Sequence, residues 1–324
     1  MFEKDLPLFE EICKLSQEQL HKIMANFLQK HYKNVIITED YIIAKGDIPI
    51  GLVAHLDTVF LSPPVNIFFD REKQVLWSPE GLGADDRAGI YLITRFVRDG
   101  LRPHIILTTD EESGCFGADA LTKAYPHHPF KSLKYLIQLD RRGADDCVFY
   151  DCNNPKFEVY VEKFGFKTNF GSFSDISAIC PEWGIAGVNL SVGYINEHSK
   201  EEILCARLMM TTYERVSNML KEKDIPYFKY IPTYNPYGFS WSSTINDVKS
   251  KYQVKCRHCG DVVFDFDAIA TKSREGGTVF YCLECGADPT LINWCECCGE
   301  AFELESPNLE EYLCKDCREK INNV

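Results

Sequence analysis

Nowhere in the 324-residue chain does an unbroken apolar stretch approach the roughly 18 residues that a membrane-spanning helix needs. The opening residues, Met1-Phe2-Glu3-Lys4-Asp5-Leu6-Pro7, show no basic segment followed by an apolar core. The expectation is therefore a protein that is not exported, stays in the cytoplasm and has no business with membranes. Positive charge is also scarce, with 35 Lys and Arg against 48 Asp and Glu and a formal net charge of −13. That deficit argues against nucleic acid as a chain-wide partner, because gripping phosphates calls for a basic face. No internal repeat is visible apart from four Cys-x-x-Cys pairs.

What is present suits a soluble globular protein. Hydrophobic residues make up 45% and charged residues 26%, and the length allows one sizeable α/β core plus a smaller unit. Cysteine is unevenly spread. Cys13, Cys115, Cys147, Cys152, Cys180 and Cys205 stand singly and read as small buried hydrophobes, whereas nine of the 15 cysteines fall in the last quarter. Without an export signal, clustered Cys-x-x-Cys pairs point to metal rather than to disulfides.

Residues 8–32 read as helix, with a capping box at Ser16 and Gln19 and an apolar stripe of Leu20, Ile23, Met24, Phe27 and Leu28. Short β-type runs follow at 35–38, 41–44 and 48–54. Residues 86–97 have a helical pattern, 105–109 and 135–139 are short buried-strand runs with helix between them around 118–124, and 188–190 reads as strand before a closing helix at 200–220. This alternation predicts an α/β fold with a mixed, largely parallel sheet covered by helices on both faces. The Tyr- and Pro-rich stretch 223–250 shows neither period. It divides the chain into a domain over 1–222, a linker packed on a surface, and a Cys-rich unit over 251–324.

In the first domain His55 with Asp57, Asp85, Glu111-Glu112, Asp140 and His198 stand out. Singly, each has a structural explanation: an Asp opening a helix is usually a cap, and Asp140 before Arg141-Arg142 suits a solvated ion pair. Jointly they are more specific. A strand–helix–strand unit takes about 30 residues, and positions 55, 85, 112 and 140 keep close to that spacing. They can thus meet at one sheet edge, outside the carboxyl ends of the strands, where ligands bind in open α/β sheets. Two histidines and three carboxylates there suit two divalent metals.

The segments Ala54-His55-Leu56-Asp57-Thr58-Val59, Gly83-Ala84-Asp85-Asp86-Arg87-Ala88-Gly89, Thr109-Asp110-Glu111-Glu112-Ser113-Gly114, Leu139-Asp140 and Glu197-His198-Ser199 follow one another in a telling order. That order resembles the dizinc aminopeptidase and carboxypeptidase clan, over roughly residues 34–220. Ser174-Asp175 and the run 184–190 are similar to the clan's approach to its last histidine. The resemblance implies that His55 and Asp140 hold one zinc, Glu112 and His198 the other, and that Asp85 bridges them. It implies further that Asp57 orients His55, and that Glu111 stays uncoordinated, as a general base must, and passes a proton from the attacking water to the leaving nitrogen. Asp140 and His198 lie too close in sequence to admit the clan's lid domain, so the single-domain aminopeptidase-like branch is implied, acting on a peptide or small amide. Arg87 replaces the Lys or Asn of many relatives, and Asp140-Arg141-Arg142-Gly143 is not a clan feature; substrate choice rests on such departures.

Cys256-x-x-Cys259, Cys282-x-x-Cys285, Cys295-x-x-Cys298 and Cys314-x-x-Cys317 resemble tandem zinc ribbons, since four thiolates close a tetrahedral structural site. Sequential pairing of the hooks is preferred, interleaved pairing is left open, and Cys297 reads as a spare thiol. The expected cofactors are two catalytic and about two structural zinc ions. From Lys251 to Val324 there are eight Lys and Arg against fourteen Asp and Glu, so a protein partner or self-association suits this unit better than nucleic acid. Two other functions stay open: a deacylase of N-acyl amino acids, against which the missing lid counts, and an inactive scaffold presenting the zinc unit, against which the full ligand set counts.

Overall fold

The computed structural model describes residues 2–233, 253–264, 268–275, 277–288, 290–295, 301–304, 314, 315 and 318. The chain forms two compact units, Met1–Trp241 and Ser242–Val324.

The first unit begins with α1 (Leu6–Cys13) and α2 (Gln17–His31). The single helix expected over 8–32 is divided because Ser16 leaves the helical backbone to cap α2, accepting from Gln19 N while the Gln19 side chain accepts from Ser16 N. Strands β1 (Val35–Ile37), β2 (Tyr41–Ala44) and β3 (Ile48–His55) follow, then the hairpin β4 (Phe68–Asp70) and β5 (Val75–Trp77). Next come α3 (Ala84–Arg98), β6 (Pro103–Thr108), α4 (Phe116–Ala124), β7 (Tyr135–Arg141), β8 (Asp146–Val148), α5 (Pro155–Glu162), β9 (Lys167–Thr168), α6 (Asp175–Trp183) and β10 (Gly187–Ser191). Strands β11 (Tyr194–Ile195) and β12 (Ile203–Cys205) lead into α7 (Ala206–Leu220). The closing helix expected from residue 200 thus starts at Ala206, because Ile203–Cys205 pairs with Val75–Trp77 instead of coiling.

The main sheet has eight strands in the order β1-β2-β6-β3-β7-β10-β8-β9, and its central four, β6-β3-β7-β10, are parallel. A smaller antiparallel sheet runs β11-β12-β5-β4. Both faces of the main sheet are buried. Ile42, Leu52, Ile105, Ile137 and Val188 join one core with α1, α2, α3 and α7, while Ile43, Val53, Ile106 and Leu136 join a second with α4 and α6. Double burial explains why these strands read as unbroken apolar runs. Each such side chain contributes about 1.5–3 kcal/mol when fully buried. No helix among the described residues is long and apolar enough to cross a membrane.

Where α3 crosses β7, the close approach requires glycine. A Cβ on Gly89 would lie 2.4 Å from the Leu139 carbonyl oxygen and 2.4 Å from Asp86 Oδ1. Since Gly89 follows Asp85 on α3 and Leu139 precedes Asp140 on β7, this contact sets the gap between those two acids. Gly89→Ala should cost about 1–3 kcal/mol through overpacking, read as a lower midpoint in denaturant.

Within the expected linker, residues 225–233 lie against the first unit: Phe228 is buried, Phe228 N donates to Lys134 O, and Tyr230 N to Gly184 O. Residues 234–250 lie outside the described residues. In the second unit, Gln253–Lys255 pairs with Val262–Phe264, and a four-stranded sheet is built from Thr278–Cys282, Ala268–Lys272, Ala301–Glu303 and Ile292–Trp294.

Candidate metal centre

His55 ends β3 with its ring fully buried, so both ring nitrogens must find partners. Nδ1 lies 3.1 Å from Asp57 Oδ1, and Nε2 lies 3.1 Å from Asp85 Oδ1 and 3.4 Å from Asp140 Oδ1. The other oxygen of Asp85, Oδ2, lies 3.3 Å from His198 Nε2, which is also 3.0 Å from Glu112 Oε2. One carboxylate therefore faces two imidazoles, one from each of its oxygens. Asp57 also accepts the Glu111 and Glu112 backbone N–H groups at 3.1 and 3.0 Å, tying the loop after β6 to the end of β3.

Asp140 is held from the far side. Tyr194 Oη donates to its Oδ1 at 3.1 Å, and Ser174 Oγ and Gln138 Nε2 donate to its Oδ2 at 2.9 and 3.1 Å. The register of β10 on β7 shifts between Asn189 and Ser191, opposite Asp140, an irregularity of the kind that re-aims a side chain beside a site. Asp110, Cys115, Asn196 and His198 adopt the left-handed region with φ of 54°, 56°, 60° and 62°. For residues other than glycine this is costly and gathers where the surroundings enforce it.

The electrostatics call for cations. Eight carboxylates, Asp57, Asp85, Asp86, Glu111, Glu112, Asp140, Asp175 and, on the Ala84 and Asp85 backbone, Glu202, gather here with two imidazoles and the buried Arg87. Burial opposes the Asp85 charge, yet hydrogen bonds from His198 and His55 hold its carboxyl well below the usual carboxylate range. Burial and the Asp85 charge push Asp140 up to about 7. Burial, with Asp140, Asp175 and Asp85 nearby, pushes Glu111 well above the ordinary value. Hydrogen bonds to Asp85 and Glu112 raise His198 to about 11. Glu112 Oε1 is buried without a partner. Buried carboxylates in such excess persist when they are paired or coordinate a metal. One ligand atom from each of His55, Asp85 and Glu112 falls within 4.8 Å of the others, so these imidazole and carboxylate donors fit divalent metal of the zinc type.

No family model matches the chain, and no curated protein matches it in sequence. Solved structures do match in fold. Aminopeptidase PepT from Bacillus cereus is 16% identical, with 67% of this chain and 97% of that chain covered and a TM-score of 0.54. A tripeptidase from Staphylococcus aureus is 14% identical, with 68% and 98% covered and a TM-score of 0.54. A TET aminopeptidase from a marine-sediment Thaumarchaeota archaeon is 14% identical, with 69% and 98% covered and a TM-score of 0.53. What this chain shares with them is the mixed α/β fold.

The structure gives defined partners to several residues whose roles the sequence leaves open. Asp86, not Asp85, caps the helix: its Oδ1 accepts from Gly89 N at 2.9 Å and its Oδ2 from His55 N at 3.2 Å. His55, Asp86 and Asp140 also lie within metal-binding distance of one another, but both Asp86 oxygens are engaged by backbone N–H groups, which leaves Asp85 the better donor. Asn189 clamps Asp140, its Oδ1 accepting from Asp140 N at 3.0 Å and its Nδ2 donating to Asp140 O at 2.7 Å. Asp175 accepts from Thr108 Oγ1 at 2.6 Å, and burial pushes its carboxyl up to about 6. Arg87 is spent on the carbonyls of Leu56, Asp57 and Leu15. Arg142 pairs with Glu197 at 2.7 Å, and Arg141 donates to Phe170 O at 2.9 Å.

In the second unit the Sγ atoms of Cys256, Cys259, Cys282 and Cys285 lie within 4.8 Å of one another, and all four thiols are free. Burial opposes a Cys256 thiolate, but backbone N–H groups of Cys282, Cys259 and His258 bring its pKa down to about 6. Cys295 and Cys314 are buried with Phe302 and Leu304. Cys297, Cys298 and Cys317 lie outside the described residues.

Proposed function

We propose that the chain is an aminopeptidase-like hydrolase that cleaves a peptide or amide bond with two zinc ions, its first domain spanning residues 1–222. The observation that supports this most is Asp85, whose two oxygens face His55 and His198 separately, as a bridge between two cations would. His55 and Asp140 would hold one metal, Glu112 and His198 the other. The metals, when bound, would supply Lewis acidity toward water and the substrate carbonyl. Asp57 fixes the His55 tautomer and positions the Glu111-Glu112 backbone. Glu111 lies beside the ligands without joining them, and its raised proton affinity suits a group that takes a proton from water and returns it to the leaving nitrogen.

The segment 251–324, joined through a linker over 223–250, would be a tandem zinc-ribbon-like module. Cys256, Cys259, Cys282 and Cys285 would hold one structural zinc, and Cys295, Cys298, Cys314 and Cys317 a second. Its acidic balance favours a protein partner or self-association over nucleic acid.

Metal analysis of the full chain should give about four zinc ions. The double variant Cys256→Ser, Cys282→Ser should lose one ion and keep its turnover on dipeptides. Screening the zinc-loaded protein against free-amino peptides, blocked peptides and N-acyl amino acids tests the activity. Turnover of free-amino peptides is expected. Hydrolysis of N-acyl amino acids alone would make it a deacylase, and no hydrolysis at all would leave the scaffold.

A further inference from the structure

Glu202 sits four residues beyond His198 and is 1% exposed, yet its carboxylate is bound by backbone N–H groups and not by either imidazole. Its carboxylate reaches across 117 residues of chain to the start of α3. Oε2 accepts from Ala84 N at 2.9 Å and Oε1 from Asp85 N at 3.2 Å. These two adjacent N–H groups belong to the stretch just before the regular helix: Gly83 is left-handed (φ 67°), and Asp85 and Asp86 depart from helical geometry. They therefore have no intrahelical acceptor, and successive N–H groups converging in this way form a concavity that suits an anion. The protein fills it with its own side chain.

The other end of Glu202 is equally fixed. Its backbone N–H donates to Ser199 O at 3.1 Å, and Ser199 Oγ donates to Asn196 O at 2.8 Å, which folds the His198 loop into a tight turn. Immediately after Glu202, β12 pairs with β5. One side chain thus fastens the His198 loop to the backbone of Asp85, and the 3.3 Å approach of His198 Nε2 to Asp85 Oδ2 spans the same two segments.

We propose that Glu202 is a positioning residue, which holds the backbone of Asp85 so that its carboxylate serves both metal positions at once. The proposal rests on the dizinc reading of the site. A carboxylate is required because it offers an acceptor to each of the two N–H groups. Glutamine has the same shape but turns an NH2 toward one of them, and aspartate is a methylene too short to reach from the same backbone.

The test is cobalt titration of chelator-stripped, full-length protein, followed by visible absorption. Cobalt at the thiolate sites is told apart by its sulfur-to-metal charge-transfer bands. Glu202→Gln is expected to bind the pair about 10–100-fold more weakly than wild type, the usual effect of losing a group that orients a metal ligand. Circular dichroism and the thiolate bands should be unchanged, and Glu201→Gln, altered at the exposed neighbour, should match wild type. If Glu202→Gln itself does not fold, Glu202→Ser, which leaves room for a water at the two N–H groups, is measured in the same way. Binding within twofold of wild type, or a loss no larger than the loss of folded protein, overturns the proposal while leaving the dizinc reading intact. Wild-type protein that takes up no metal outside its thiolate sites overturns the dizinc reading, and this proposal with it.

Discussion

A Glu111→Gln protein is expected to turn over substrate about 10²–10⁴-fold more slowly than wild type, the usual worth of a general acid–base group, while keeping its full metal content. Glu111 is buried, its backbone N–H is bound by Asp57, and among the described residues the one side-chain donor to its carboxylate is the Cys115 thiol at 3.8 Å. Glutamine fits the same space and disturbs none of the pairs among His55, Asp85, Glu112 and His198. It cannot accept and return a proton. Steady-state kinetics with metal analysis on the same preparation separates the two roles. Retention of most activity would remove Glu111 from the chemistry, and loss of metal would exchange its role with that of Glu112.

Asp85→Ala should abolish turnover and empty both catalytic positions, leaving only the thiolate-bound zinc. Among the described residues no other carboxylate is paired with both imidazoles: Asp140 pairs with His55, at 3.4 Å, and Glu112 with His198, at 3.0 Å. Removing Asp85 leaves each position short of one ligand and leaves both histidines without their shared partner. A variant that kept one metal would show that Asp85 serves a single position.

Much of this was legible in the sequence because burial on both faces leaves a plain mark. Ile48–His55, Pro103–Thr108 and Tyr135–Arg141 are buried strands whose apolar runs end at or near the candidate site residues. The spacing of those residues follows from the length of each crossover. The hairpin Phe68–Asp70 and Val75–Trp77 is short and half-exposed, so no periodicity betrays it. Ile203–Cys205 merged into the following helix because its pairing with β5 lies far away in sequence. The same distance hid Asn189 and Glu202. Asn189 meets Asp140 only because β10 lies beside β7, and Glu202 meets Ala84 only because the loop after β11 folds back over α3.

The placing of β10 between β7 and β8 has a consequence for the order in which the molecule can be made. Strands β8 and β9 precede β10 in the chain but join the main sheet only through it. A chain growing from its N-terminus therefore carries the edge β1-β2-β6-β3-β7 early, with β8 and β9 waiting for a partner until residues 187–191 emerge. His198 and Glu202 come later still. Along the chain, Asp85, Glu111, Glu112 and Asp140 all precede the second imidazole, His198. The last strand of the main sheet and the last members of the candidate site thus lie close together in the chain, within residues 187–202.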